Sequence, residues 1–385
     1  GSSRLGHNIE NVSVFAINAD LEKRIGKNEL RYGTEVTFNE VTSEAHREHI
    51  TTGEITYRTS RYPNGGSTVA SAAAYVSHTL EVNEHWVISE GLRFSAINLE
   101  CTFNDTNDFQ YLNGTVSQVN NAVNWRAGVA YMPSKSWRIS ALASTGFRSP
   151  NVDDMGKLFD PSDGTVIVPN ASLKPERTTN FEIGISKTCN ERYTIEATGF
   201  YTMLNDAISV GEFTSNGQDS IDFDGLKRVT ALVNKAEAYL YGGTGEVVLR
   251  FNEGFTVRSG LTYTFGRIKT DTTDLPLDHV PPVYGRTSIE WTGKRVRAEV
   301  YALHNGWKRL ADYNLTPSSE DNVQYATSEG TPAWTTLNAR ASVALTKSVS
   351  LQVALENMAD VNYRTFASGI SAPGRNFSVS LRAVF

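Results

Sequence analysis

The sequence predicts an all-β chain: an antiparallel, up-and-down transmembrane β-barrel. Three observations lead there. Apolar residues recur with period two along most of the chain, many of the alternating segments run ten to fifteen residues or longer, and the connections between them alternate short and long from end to end. A strand sends successive side chains to opposite faces, so period two gives each segment one oily and one wet side. Strands of globular proteins average about 5–6 residues, whereas about 9–11 tilted residues cross a hydrocarbon core.

The elements follow in order. Residues 10–24 and 28–42 form a first hairpin around Gly26-Lys27. Residues 68–82 and 86–102 flank Asn83-Glu84-His85, 118–132 and 136–149 flank Pro133-Ser134-Lys135, and 178–188 and 192–205 flank Asn190-Glu191. Residues 227–250 and 255–269 flank Asn252-Glu253-Gly254, 283–292 and 295–307 flank Gly293-Lys294, and 333–346 and 349–363 flank Lys347-Ser348. Residues 374–385 are the fifteenth strand, with Phe377, Val379, Leu381, Ala383 and Phe385 on one face and Asn376, Ser378, Ser380 and Arg382 on the other. Gly242-Gly243-Thr244-Gly245 falls inside a long strand and predicts a bend or bulge. The remaining connections are long, at roughly 43–67, 103–117, 150–177, 206–226, 270–282, 308–332 and 364–373. Membrane barrels sort short turns to the periplasmic rim and long loops to the extracellular one, and a soluble sandwich has no reason to do so.

Composition excludes other classes. With 385 residues the chain is long enough for a sizeable core, and it has no run of about 18 apolar residues, which excludes a bundle of transmembrane helices. A net charge of -6 and a pI near 5.7 argue against a broad nucleic-acid surface. With 17 Phe, 16 Tyr and 6 Trp the chain is not expected to be disordered. Cys101 and Cys189 are too few for a disulfide scaffold or a zinc ribbon. Gly-x-Ser-x-Gly and phosphate-loop patterns are missing, so no enzyme activity is expected.

Several segments carry a resemblance. Phe147-Arg148-Ser149-Pro150 and Pro169-Asn170-Ala171-Ser172-Leu173-Lys174-Pro175-Glu176 resemble two paired segments of TonB-dependent outer-membrane receptors. Asp278-His279-Val280-Pro281-Pro282 with Gly285-Arg286, and Glu356-Asn357-Met358-Ala359-Asp360-Val361-Asn362-Tyr363-Arg364 with Pro373-Gly374-Arg375-Asn376-Phe377, are similar to late segments of that family, in the same order. Residues 1–141 match mainly in strand rhythm.

The resemblance implies a barrel of about 22 antiparallel strands in the bacterial outer membrane, with a globular plug inside it. Residues 1–385 would then be a C-terminal portion of the barrel with no plug domain. Fifteen is an odd count, so the first and last strands run parallel and other segments are expected to complete the wall. The implied function is energy-dependent uptake of a scarce nutrient, a ferric siderophore or similar iron complex. Alternatives are haem or cobalamin uptake within the same family, or a passive porin. The implied partners are the TonB energy-coupling complex, reached through the plug, the outer-membrane insertion machinery, membrane lipid and lipopolysaccharide, and a small nutrient ligand. Nucleic acid and a resident cofactor are not expected. The terminal Phe385 resembles the family's membrane-insertion signal.

Candidate ligand-binding residues are Arg148, Asn151, Lys174 and Arg375; the three cations suit an anionic iron complex, since Arg pairs carboxylates bidentately. The competing reading is that they hold the strand-to-loop corners. Residues 151–169 contain no His, which argues against an axial haem ligand there, and Met155 reads as packing. His46 and His49 are a weak metal pair with no third ligand nearby. Acidic groups at Asp153-Asp154, Asp219, Asp222, Asp224, Asp271, Asp274 and Glu320-Asp321 read as solvated loop charge. Arg258, Arg297 and Arg340 with Glu246 and Glu299 predict a charge ladder on the inner wall.

Overall fold

The computed structural model describes all residues except 1, 2, 59, 61, 105–113, 157–163, 223, 224, 271, 272, 316–320 and 385. Phe385, Asp224, Asp271 and Glu320 therefore lie outside the described residues. Fifteen long strands are present among the described ones: β1 (Arg4–Ile25), β2 (Asn28–His49), β3 (Ser67–Glu81), β4 (Trp86–Phe103), β5 (Gly114–Ser134), β6 (Trp137–Arg148), β7 (Glu176–Cys189), β8 (Tyr193–Glu212), β9 (Leu226–Arg250), β10 (Phe255–Ile268), β11 (Tyr284–Thr292), β12 (Val296–Asn305), β13 (Trp334–Ala344), β14 (Val349–Glu356) and β15 (Asn376–Ala383). Each pairs antiparallel with the next in a single meander. Both β1 and β15 run from the long-loop rim toward the short-turn rim, so these two strands are parallel in direction.

The pairing register sorts the side chains into two continuous faces. Phe15, Phe38, Ala72, Phe94, Val123, Ile183, Tyr201, Tyr241, Leu261, Ile289, Val300, Ala341, Val353 and Val379 all belong to one of them, by successive pairing. Large apolar residues on this face are exposed, Ile183 to 68% and Val379 to 58%. A water-soluble monomer does not expose an apolar area of this extent, and a hydrocarbon surround removes the conflict. Trp86 stacks on Tyr131 with ring centroids 4.4 Å apart, and Phe255 pairs with Trp291, all near the short turns. Tyr241 and Phe265 meet at 5.0 Å toward the other rim. Phe255 and Phe265 are ten residues apart on β10, about 25 Å of tilted strand, which matches the height of a barrel's apolar band.

Three differences from the sequence reading have physical causes. First, β1, β2, β5 and β8 extend several residues farther toward the long-loop rim than the alternation indicated. Beyond the hydrocarbon both faces meet water, so the pairing of Leu5 with Glu48 or Ile9 with Glu44 continues without an oily side to reveal it. Second, the strand expected over 349–363 stops at Glu356, because Asn357 takes a left-handed φ of 48°. Third, Gly242 and Gly243 sit in unbroken register with Phe200 and Gly199, so no bulge forms there. The register shift of β8 against β9 falls instead between Leu204 and Ile208. The glycines serve close approach: a Cβ on Gly243 would lie 2.8 Å from the Thr198 carbonyl oxygen.

Candidate functional site

The long loops collect at one rim, and two of the sequence-identified segments form corners there. At the first, β6 ends in Arg148 and the chain turns into α1 (Val152–Gly156). The Arg148 guanidinium lies between Asp154, at 2.5 Å, and Glu176 at the start of β7. Asn151 and Asp154 cap each other: the Asp154 N–H donates to Asn151 Oδ1 at 2.8 Å and the Asn151 N–H to Asp154 Oδ2 at 3.0 Å. The Glu176 carboxylate also accepts the Ile208 N–H at 2.7 Å, within the irregular stretch of β8. Lys174 donates its backbone N–H to Asn234 Oδ1 at 2.7 Å, and Asn234 returns a bond to the Lys174 carbonyl at 2.8 Å, while the Lys174 side chain stays exposed. Val152 and Met155 pack with Leu99, Cys101 and Phe103, so the loop carries a small apolar core and Met155 is packing. A second core joins Val166 and Val168 to Val229 and Ala231, where Thr165–Val168 pairs parallel with β9.

The second corner lies far along the meander. Asn357 Nδ2 donates to the Val361 and Pro373 carbonyls at 2.9 and 3.2 Å, and Asn357 Oδ1 accepts the Val361 N–H at 2.9 Å. Asp360 Oδ1 accepts the Arg375 N–H at 2.8 Å, and Arg375 Nε donates to the Met358 carbonyl at 3.1 Å. Arg148 and Asn151 thus share one corner with Lys174 nearby, whereas Arg375 stands apart at the other. Between β13 and the last loop lies a cleft of about 320 Å³ lined by Tyr325, Thr331, Trp334, Tyr363 and Arg364. Trp334 packs on Tyr363 at 4.2 Å, its indole N–H is enclosed without an acceptor among the described residues, and Arg364 donates to the Tyr325 carbonyl at 2.9 Å. The sequence reading missed this cleft, whose walls come from separate stretches of the chain.

The neighbouring loop is held from below. Lys308 is buried and donates to the Val280 carbonyl at 2.7 Å, with its ammonium 4.7 Å from the centre of the Phe366 ring. Burial lowers its pKa, and the nearby Asp321 and Asp312 charges oppose that shift. Asp321 is buried too and accepts the His279 N–H at 2.8 Å and the Asn314 N–H at 3.1 Å. This carboxylate is a loop staple, not the solvated charge expected of Glu320-Asp321.

The inward face carries the predicted charge ladder. Glu299 receives Arg286 and Arg340, each at 2.6 Å, Arg258 meets Glu246 at 2.6 Å, and Arg297 meets Glu290 at 2.7 Å. His46 and His49 do not converge. By strand alternation they lie on opposite faces of β2; His46 stacks on His7 at 4.8 Å, and His49 Nδ1 accepts the Thr51 and Thr52 N–H groups. Among the described residues no group of three or more His, Cys, Asp or Glu is placed to hold a metal ion.

Comparison with known proteins is consistent with this architecture. Residues 3–358 match the family described as TonB dependent receptor-like, beta-barrel. Hemoglobin-binding protein A of Haemophilus influenzae is 24% identical over 290 residues, covering 66% of this chain and 28% of that protein. The iron-regulated outer membrane virulence protein of Vibrio cholerae serotype O1 is 25% identical over 257 residues, covering 65% of this chain and 37% of that protein. The solved structure of the copper transporter OprC superposes with a TM-score of 0.77 at 16% identity, over 98% of this chain and 57% of that one. The ferric yersiniabactin uptake receptor FyuA from Yersinia pestis superposes with a TM-score of 0.65 at 17% identity, over 100% of this chain and 56% of that one. The chain thus spans about a third of the length of these sequence relatives. It belongs to the TonB-dependent receptor family, as a β-barrel of the bacterial outer membrane.

Proposed function

We propose that the complete protein takes up a ferric siderophore or similar iron complex across the outer membrane, driven by the TonB complex. The observation that carries this reading is the contrast between a polar, charge-laddered inner wall and a rim whose loops fold on cores of their own. Such loops present a fixed binding surface at the mouth of a hydrophilic passage. In this reading Lys174 meets an anionic ligand directly, while Arg148, Asn151 and Arg375 hold the corners that place the surface. The names of the relatives, which refer to iron regulation and hemoglobin binding, support iron as the nutrient. Haem is the second reading, favoured by the hemoglobin-binding relatives.

Deletion of the intact gene, followed by growth on a panel of sole iron sources, tests both. Lost growth on one or more ferric siderophores, with growth on haem retained, supports the first reading. Loss confined to haem selects the second, and unimpaired growth on every iron source removes both.

A further inference from the structure

The outward face is mostly apolar between its aromatic belts; Ser259 and Thr287 satisfy each other there, and a second polar notch carries a carboxylate. His78 on β3 pairs with Glu90 on β4, and both lie on the same face as Val76, Leu80, Ile88 and Leu92. His78 Nδ1 is 3.0 Å from Glu90 Oε1, and His78 Nε2 is 2.9 Å from Asn28 Oδ1 on β2. Glu90 stands four residues beyond Trp86 of the short-turn belt, about 10 Å along the barrel axis for a strand tilted by ~40°. Among the described residues it is the one carboxylate on the outward face between the belts. The pairing that links Lys23, Leu30, His78 and Glu90 in one row puts a cation two strands from His78 and three from the carboxylate.

A charge on the lipid-facing side of a barrel costs stability, and most at mid-depth. The bond to His78, whose ring is held in turn by Asn28, lowers that cost without removing it, because the Glu90 side chain stays 59% exposed. An occupant is therefore called for that brings opposite charge from the lipid side. The notch lies within reach of the periplasmic leaflet, and its row presents both signs, carboxylate at one end and ammonium at the other. We propose that Asn28, His78 and Glu90 form a headgroup site on the outer wall for a phosphoethanolamine phospholipid. The headgroup ammonium donates hydrogen bonds to Glu90, and the phosphate turns toward Lys23. Opposite charges with N–H donors aimed at a carboxylate make the stronger class of hydrogen bond. The assignment depends on the barrel's place in the membrane, not on the nutrient it carries.

The full-length receptor tests this by lipid retention in native mass spectrometry, after reconstitution with phosphatidylethanolamine or phosphatidylcholine, each mixed with the same fraction of phosphatidylglycerol. Phosphatidylcholine has the same charges but no N–H donor. Wild-type protein should retain phosphatidylethanolamine about tenfold better, the equivalent of one charge-assisted hydrogen bond, and Glu90→Gln should erase most of that preference. Equal retention of the two lipids by wild type overturns the proposal without any variant. A Glu90→Leu protein whose urea midpoint rises equally in both lipids also overturns it, since the carboxylate is then only a liability. A wild-type dimer in the membrane that Glu90→Leu dissolves would assign the notch to a second copy of the chain and overturn it too.

Discussion

The outward and inward faces of β10 to β15 are built by the same strands and obey different rules. Outward, Leu261, Ile289, Val300, Val353 and Val379 need only be apolar, because lipid tails make no specific demands on shape. Inward, Glu299 is tied to Arg286 and Arg340, and Asn338 Oδ1 accepts the Asn357 N–H at 2.8 Å, so these polar groups have assigned partners. One face is set by a property and the other by particular pairs. Substitutions should therefore be tolerated very differently on the two sides.

Four experiments on the full-length receptor break or sharpen that contrast. The largest effect is expected from Val300→Arg, which puts a charge on the lipid face and should cost about 2–4 kcal/mol in vesicle-based urea unfolding. Val300→Leu at the same place should stay within about 1 kcal/mol, and a large loss from it would contradict a face that asks only for hydrophobicity. Next, Glu299→Ala leaves two arginines without their carboxylate and should cost about 2 kcal/mol. Adding Arg340→Ala should then cost less than the sum of the two single changes, and strict additivity would show that the ladder is not coupled. Asn357→Ala removes three loop bonds and a left-handed Asn, for about 1–2 kcal/mol. Its readout is faster proteolytic cleavage within 357–375, and unchanged cleavage would mean the corner is held by other contacts. The smallest effect is expected for Arg258→Ala. Its partnership with Glu246 is solvent-exposed, so the change should stay near or below about 0.5 kcal/mol. A loss above 2 kcal/mol would place this pair in a drier site than the wall shows.

The corners explain why some residues were legible early and others were not. Arg148, Asn151, Lys174 and Arg375 stood out because they lie in segments with a recognisable pattern, and each uses backbone or side-chain bonds to fasten a loop. The cleft of Tyr325, Trp334, Tyr363 and Arg364 brings together three stretches of chain. No local spacing announces such a meeting. The Asn28-His78-Glu90 notch was equally hidden, since a His and a Glu twelve residues apart become neighbours only through the β3–β4 register.

The sequence by itself determined which residues face lipid and where the short turns fall, because period-two alternation and turn chemistry are local and the membrane rewards them segment by segment. All fifteen strands were readable on that basis, as far as the hydrocarbon extends. Only the tertiary structure decided how far the strands run on into water, which loops fold on their own cores, and which charges meet across the wall. Those outcomes depend on the register between strands and on contacts between distant loops, and neither leaves a periodic trace in the chain.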